Sequence, residues 1–188
     1  MDEAEVWAAL ERGGAVRRGH FAEAEGHADL RLGKYNGLRD PSGAERLAGA
    51  LAERLAESGA GLVVVWEDVE DIVLGYVVGR RLGVPVLRTF NADGLVGQAG
   101  PLPRGAKAIL VTDSLRDRLA SRAVRALLER ADGSLLGVAA LVDAGLGDEP
   151  LLASLVSLRS HIVPPSECPS CRQGEPLAGG AQGLGTGG

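Results

Sequence analysis

The run Gly61-Leu62-Val63-Val64-Val65-Trp66 constrains the fold of this chain more than any other segment. A strand with one wet face alternates apolar and polar side chains. This run does not alternate, and continuous β-branched runs belong to strands buried on both faces, as in parallel sheets covered by helices on either side. Residues 107–112 and 135–142 repeat the pattern. Residues 84–90 read as a fourth strand, with Pro85 at its start, where a missing N–H is tolerated. A last strand is expected at 151–158.

Helices are expected between these strands. Ser42-Gly43-Ala44-Glu45 has the spacing of a capping box, with Pro41 before it, and opens a helix to about residue 58 with Leu47, Leu51 and Leu55 on one face. Further helices are expected at 71–82 and 119–131. A short one at 2–12, with Val6, Ala9 and Leu10 at helical spacing, is stopped by Gly13-Gly14. Strands alternating with helices give an α/β fold: a mostly parallel open sheet with helices on both faces. Residues 15–35 read as short strands or irregular cover, and 91–106 as a long loop bearing glycine and proline.

One domain is expected over residues 1–178. It comprises an N-terminal hood (1–40), a core (41–160) and a C-terminal segment (161–178) holding Cys168-Pro169-Ser170-Cys171. Residues 179–188 contain six glycines and are expected to be a disordered tail. Aromatic residues make up only 3% of the chain, so the core must be built from Val, Leu and Ala. The net charge of -5 argues against a general nucleic-acid or membrane-surface binder. No apolar run approaches the roughly 20 residues that span a bilayer, and the acidic start Met1-Asp2-Glu3 is unlike a secretory signal. The cytoplasm is the expected compartment.

In open α/β sheets, ligands bind beyond the carboxyl ends of the strands. Three segments qualify: 66–71, 90–104 and 113–120. The first and third are strand-to-helix junctions, which present free N–H groups and a helix N-terminus to anions.

The order of strand, short loop, helix, strand, long loop, strand, short loop, helix resembles the type I phosphoribosyltransferases. Three local matches point to their orotate branch. Gly26-His27-Ala28-Asp29 followed by Lys34-Tyr35 is similar to its N-terminal substrate segment. Residues 94–105 are similar to its mobile catalytic loop. Glu167-Cys168-Pro169-Ser170-Cys171-Arg172, followed by Pro176-Leu177, is similar to the C-terminal segment of some bacterial members. The resemblance covers about residues 5–177. It implies transfer of a phosphoribosyl group from phosphoribosyl pyrophosphate to a nucleobase, Mg²⁺ as the catalytic metal, and a homodimer.

The chain departs from this family where phosphates should bind. The family's phosphoribosyl pyrophosphate loop has two acidic residues, then small hydroxyl residues and glycines that let backbone N–H groups wrap a phosphate. Here the segment reads Thr112-Asp113-Ser114-Leu115-Arg116-Asp117-Arg118-Leu119-Ala120-Ser121. One acid of the pair remains, and no glycine does. The family's pyrophosphate loop becomes Trp66-Glu67-Asp68-Val69-Glu70-Asp71. Four carboxylates in five residues attract cations, and one unit-charge repulsion at about 4 Å costs roughly 4 kcal/mol near a protein surface. The family's catalytic lysine aligns with Ala92.

These departures imply a protein impaired for orotate transfer, acting through ligand or nucleotide binding, or as a regulatory partner of an active paralogous phosphoribosyltransferase. The alternative is an active phosphoribosyltransferase with a variant metal-dependent site built on Asp113. A third reading is a structural dimer without a ligand. Lys34, Asp113, Ser114, Arg116, Arg118 and Ser121 are the candidate ligands for a phosphorylated small molecule, Arg because it pairs with phosphate through two bonds. A salt-bridged surface turn is the competing reading of Arg116-Asp117-Arg118. Glu67, Asp68, Glu70 and Asp71 form either a cation site or a solvated helix start whose acids meet the helix dipole. Cys168 and Cys171 supply half of a Zn²⁺ site, to which His161 or a second subunit would have to add; two reduced surface thiols are the ordinary reading. His20 has no motif around it.

Overall fold

A computed structural model describes residues 1–23, 26–32, 37–93, 95–115, 118–145, 148–158 and 162–178. Among these, six strands form the main sheet, in the order β5-β4-β3-β6-β7-β8. Its members are β3 (Leu62–Trp66), β4 (Val86–Ala92), β5 (Leu95–Ala99), β6 (Lys107–Leu115), β7 (Ser134–Asp143) and β8 (Leu151–Ser157). All neighbours run parallel except β4 and β5. Val63 lies beside Val86 on one side and Ile109 on the other. The expected central strands therefore share one sheet.

The parallel strands carry a separate core on each face, as the unalternating sequence requires. Val63, Val65, Ile109, Val111, Ala139 and Leu141 point to one face and pack with buried residues of α1 (Glu3–Arg12), α2 (Pro41–Leu55) and α3 (Val69–Leu82). Leu62, Val64, Ala108, Leu110, Val138 and Ala140 point to the other and meet Val124 and Leu128 of α4 (Leu119–Glu129). Phe21 is the one aromatic residue among the largest fully buried side chains, so Val, Leu and Ala do build the interior.

Two details differ from the sequence reading. Asp40, not Ser42, caps α2: its carboxylate accepts from the Ser42 and Gly43 N–H groups, and Pro41 occupies the first turn. Asp outcompetes Ser because a carboxylate can accept two N–H bonds at once. The start of the expected 91–106 loop is a hairpin instead. Strand β4 continues to Ala92, turns at Asp93 with φ 51°, and pairs antiparallel with β5. Asp-Gly is a strong hairpin signal, but Gly97 conceals the strand that follows. Gly97 faces Phe90, and a Cβ there would sit 2.4 Å from the ring, so the aromatic ring covers the missing side chain.

The hood is a second, antiparallel sheet of β1 (Val16–Glu23), β2 (Gly26–Leu32) and β9 (Ile162–Val163). Strand β9 returns from the far end of the chain to pair with β2. A Cβ on Gly26 would lie 2.3 Å from the Val163 carbonyl oxygen, so this approach requires glycine. A last helical turn, α5 (Pro169–Arg172), follows. The 179–188 tail lies outside the described residues. No helix among the described residues is long and apolar enough to cross a membrane.

Helix α3 lies close to the sheet because it carries glycine at two positions one turn apart. A Cβ on Gly75 would come within 2.1 Å of Val65 Cγ1, and one on Gly79 within 2.5 Å of Val86 Cγ2. Both valines are β-branched and stiff. Gly75→Val should therefore lower the unfolding free energy by about 3 kcal/mol, the upper range for overpacking. Gly61→Ala, whose Cβ meets nothing nearer than 3.9 Å, is the control. Urea denaturation with equal midpoints for the two variants would refute this account of α3.

Candidate functional site

Strands β3 and β6 are adjacent and parallel, so their carboxyl ends place the 66–71 and 112–121 segments side by side. A cavity of about 180 Å³ opens between them. It is lined by Trp66, Asp68, Asp71, Thr112, Asp113, Ser114, Leu115, Ala120 and Ser121, with Leu110 at its floor. This is the strand-end position that an open α/β sheet offers to ligands.

The acidic loop is partly consumed by structure. Asp68 caps α3, accepting from the Glu70 N–H at 3.2 Å. Asp71 turns inward, only 5% exposed, and its Oδ1 accepts from the Asp113 backbone N–H at 2.7 Å. Burial, then the nearby Asp113 carboxylate, push the Asp71 carboxyl up to about 8. At neutral pH Asp71 therefore holds its proton, and the loop is less anionic than its sequence. Glu67 is exposed and Glu70 half-buried.

The described residues of the 112–121 segment also have partners within the protein. Ser114 Oγ donates to Asp113 Oδ1 at 2.8 Å. Ser121 is buried and donates to the Arg118 carbonyl oxygen at 3.2 Å. The Arg118 guanidinium pairs with Asp148 at 2.8 Å, and Arg122 joins the same carboxylate. Lys34, Arg116, Asp117 and His161 lie outside the described residues. Ala92 is exposed at the end of β4.

Comparison with known proteins places this geometry. No protein-family model matches the chain. The orotate phosphoribosyltransferase of Heliobacterium modesticaldum is 33% identical over 171 residues, covering 86% of this chain and 88% of the relative. That of Phenylobacterium zucineum is 32% identical over 155 residues, 80% of each. The chain belongs to the orotate phosphoribosyltransferase family. Solved members share the fold: the enzyme from Aeropyrum pernix superimposes with a TM-score of 0.62 at 22% identity, covering 80% of this chain and 92% of that one. The Mycobacterium tuberculosis enzyme in complex with inorganic phosphate gives 0.61 at 18% identity, covering 83% and 95%.

Within this family fold, a second cluster lies in the hood. Cys168 and Cys171 come together with His20 and His27. His20 carries no sequence motif. The available signal was two histidines seven residues apart, whose rings meet edge-on with centroids 4.7 Å apart.

The Asp71 carboxyl gives the candidate site a pH signature. The folded state raises it from an ordinary 3.8 to about 8, so the folded protein binds a proton that the unfolded chain has released. Its contribution to stability is full below about pH 4 and is lost as pH rises to about 8. Asp71→Asn keeps an oxygen acceptor for Asp113 and removes the titration. Between about pH 6 and pH 8.5, the parent should lose several degrees of melting temperature relative to the variant. Parallel pH profiles for the two proteins would show that Asp71 ionises normally.

Proposed function

We propose that this orotate phosphoribosyltransferase-family protein no longer transfers phosphoribosyl groups to orotate and acts instead by binding. Its ligand is a nucleotide or other phosphorylated small molecule, or its partner is an active paralogous phosphoribosyltransferase that it regulates. One observation carries this reading. Among the described residues lining the strand-end cavity, three are acidic and none is basic. Ribosyl transfer develops charge on a leaving pyrophosphate, and catalysis of such a step rests on preorganised positive charge and N–H donors. Here Arg118 is turned to Asp148, and Leu115 stands in a segment that has no glycine for close backbone approach.

Magnesium does not repair this arrangement well. Mg²⁺ is held by ionised carboxylates together with substrate phosphates. Asp71 is buried and protonated at neutral pH, and Asp68 is engaged as a helix cap. Asp113 also lines the open cavity, and the second reading, an active variant with a metal-dependent site, would be built on it.

Assay of the purified protein with orotate and phosphoribosyl pyrophosphate, across millimolar Mg²⁺ and Mn²⁺, separates the two readings. No orotidine monophosphate should form above the blank. Turnover near one per second, within the ordinary enzymatic range and abolished by Asp113→Asn, would establish the active variant. Titration with phosphoribosyl pyrophosphate, orotate and orotidine monophosphate then identifies any ligand.

The same reading includes a homodimer in the cytoplasm, where thiols stay reduced. Val69 and Tyr76 of α3 are 71% and 66% exposed and lie two turns apart on one face. Such an apolar stripe suits isologous pairing, the commonest closed arrangement. Light scattering at micromolar concentration should return twice the 19.4 kDa chain mass, and a monomer mass would remove this assembly from the proposal.

A further inference from the structure

The hood cluster gathers four soft or borderline ligands from distant parts of the chain. Histidine 20 comes from β1, His27 from β2, and Cys168 and Cys171 flank the start of α5. One ligand atom from each lies within 4.8 Å of all the others. The separations are 2.9 Å between His20 Nε2 and His27 Nδ1, 3.1 Å between His27 Nδ1 and Cys171 Sγ, and 3.5 Å from His20 Nε2 to each sulfur. Tetrahedral zinc with bonds of about 2.0–2.3 Å needs ligand atoms roughly 3.3–3.8 Å apart. These four separations stand within about 0.4 Å of such edges, and the widest pair, within 4.8 Å, would close by at most about 1 Å around an ion.

The protonation pattern matches as well. His20 Nδ1 is 2.8 Å from the Glu175 carbonyl oxygen, an acceptor only, so Nδ1 carries the hydrogen and donates it. In the neutral ring this leaves the Nε2 lone pair facing the cluster. Metal-bound histidines are commonly fixed this way, with the other ring nitrogen donating to a carbonyl. That single lone pair confronts His27 Nδ1 and both sulfurs together. Local hydrogen bonds give it one partner at a time, whereas a cation at the centre satisfies all four groups.

We propose that His20, His27, Cys168 and Cys171 form a structural zinc site that staples the C-terminal segment onto the hood. Binding converts two thiols to thiolates with release of two protons, and Zn²⁺ balances their two charges. Four protein ligands leave no open position, so the site is structural and not hydrolytic. The staple reinforces contacts already present: β9 pairs with β2, and the Ala178 N–H donates to the His20 carbonyl oxygen at 2.5 Å. The bulge between Arg18 and Phe21, where strand register shifts, is the device that aims His20 into the cluster. This site lies apart from the strand-end cavity, and its occupancy does not depend on whether the chain turns over.

The test uses the full chain and zinc ion alone. Protein purified under reducing conditions, stripped with a chelator and titrated with Zn²⁺, should bind about one equivalent per chain. Cobalt in its place should give the intense visible bands of a tetrahedral thiolate site. Chelation should lower the melting temperature, because a ligand that binds only the folded state stabilises it by mass action. His27→Ala removes a partly exposed ligand with little core disturbance and should weaken zinc at least about 100-fold, since loss of an outer-shell partner alone costs 10–100-fold. Ser170→Ala, between the two cysteines, should bind as the parent does. Cys168→Ser alone is less informative, because Cys168 is buried and its variant risks misfolding. Binding of less than about 0.1 equivalent by the parent, or unchanged affinity in His27→Ala, would overturn the site.

Discussion

The hydrogen bond from the Asp113 N–H to the Asp71 carboxyl joins the two strand-to-helix junctions of the main sheet. Its existence follows from strand order. Because β3 and β6 are parallel neighbours, the first turn of α3 and the end of β6 face each other across a few ångströms. A backbone that offered free N–H groups in this gap would make an anion site. Here a side chain of the same molecule takes one of them. Burial then keeps that side chain neutral, since an ionised carboxylate out of water without a cation is far more costly than a protonated one. The donor is satisfied and the charge suppressed by a single residue.

The same arrangement explains how site and scaffold are separable in this fold. The core lies in the strand interiors, where Val63, Val65, Ile109 and Val111 serve one face and Leu62, Val64 and Leu110 the other. None of that burial depends on the residues beyond the strand ends, so the loops there can vary while the sheet persists. What does constrain α3 is the pair Gly75 and Gly79, which set its distance from the sheet. Those glycines answer to packing and not to a ligand.

Legibility in the sequence followed the same division. The parallel strands were readable because burial on both faces leaves no polar interruption. Helices α2 and α3 were readable from spacing, although the true caps, Asp40 and Asp68, lie outside the starts first expected. The β5 strand was hidden because Gly97 leaves its coverage to Phe90, across the hairpin. The position of the candidate cavity was legible, being a property of any open α/β sheet. The behaviour of its acids was not. Nothing in Glu67-Asp68-Val69-Glu70-Asp71 says which carboxylate caps the helix and which turns inward to meet a strand 42 residues away. His20 was invisible for a related reason, since its sulfur neighbours are 148 and 151 residues distant in sequence.

Local rules of sequence and structure agree nearly everywhere in this molecule, and where they fail the failure is informative. An asparagine at position 71 would accept the Asp113 N–H as well as aspartate does, without a titrating group in a nearly dry place. A leucine there would add apolar burial. Aspartate gives neither advantage, and its cost rises with pH through the neutral range. It does provide a group that a cation entering the cavity from the solvent side would ionise, because a nearby positive charge lowers a raised carboxyl pKa. Proton release from Asp71 would then accompany the arrival of positive charge. How far the charge of this junction can change near neutral pH therefore rests on how deeply one carboxyl is buried.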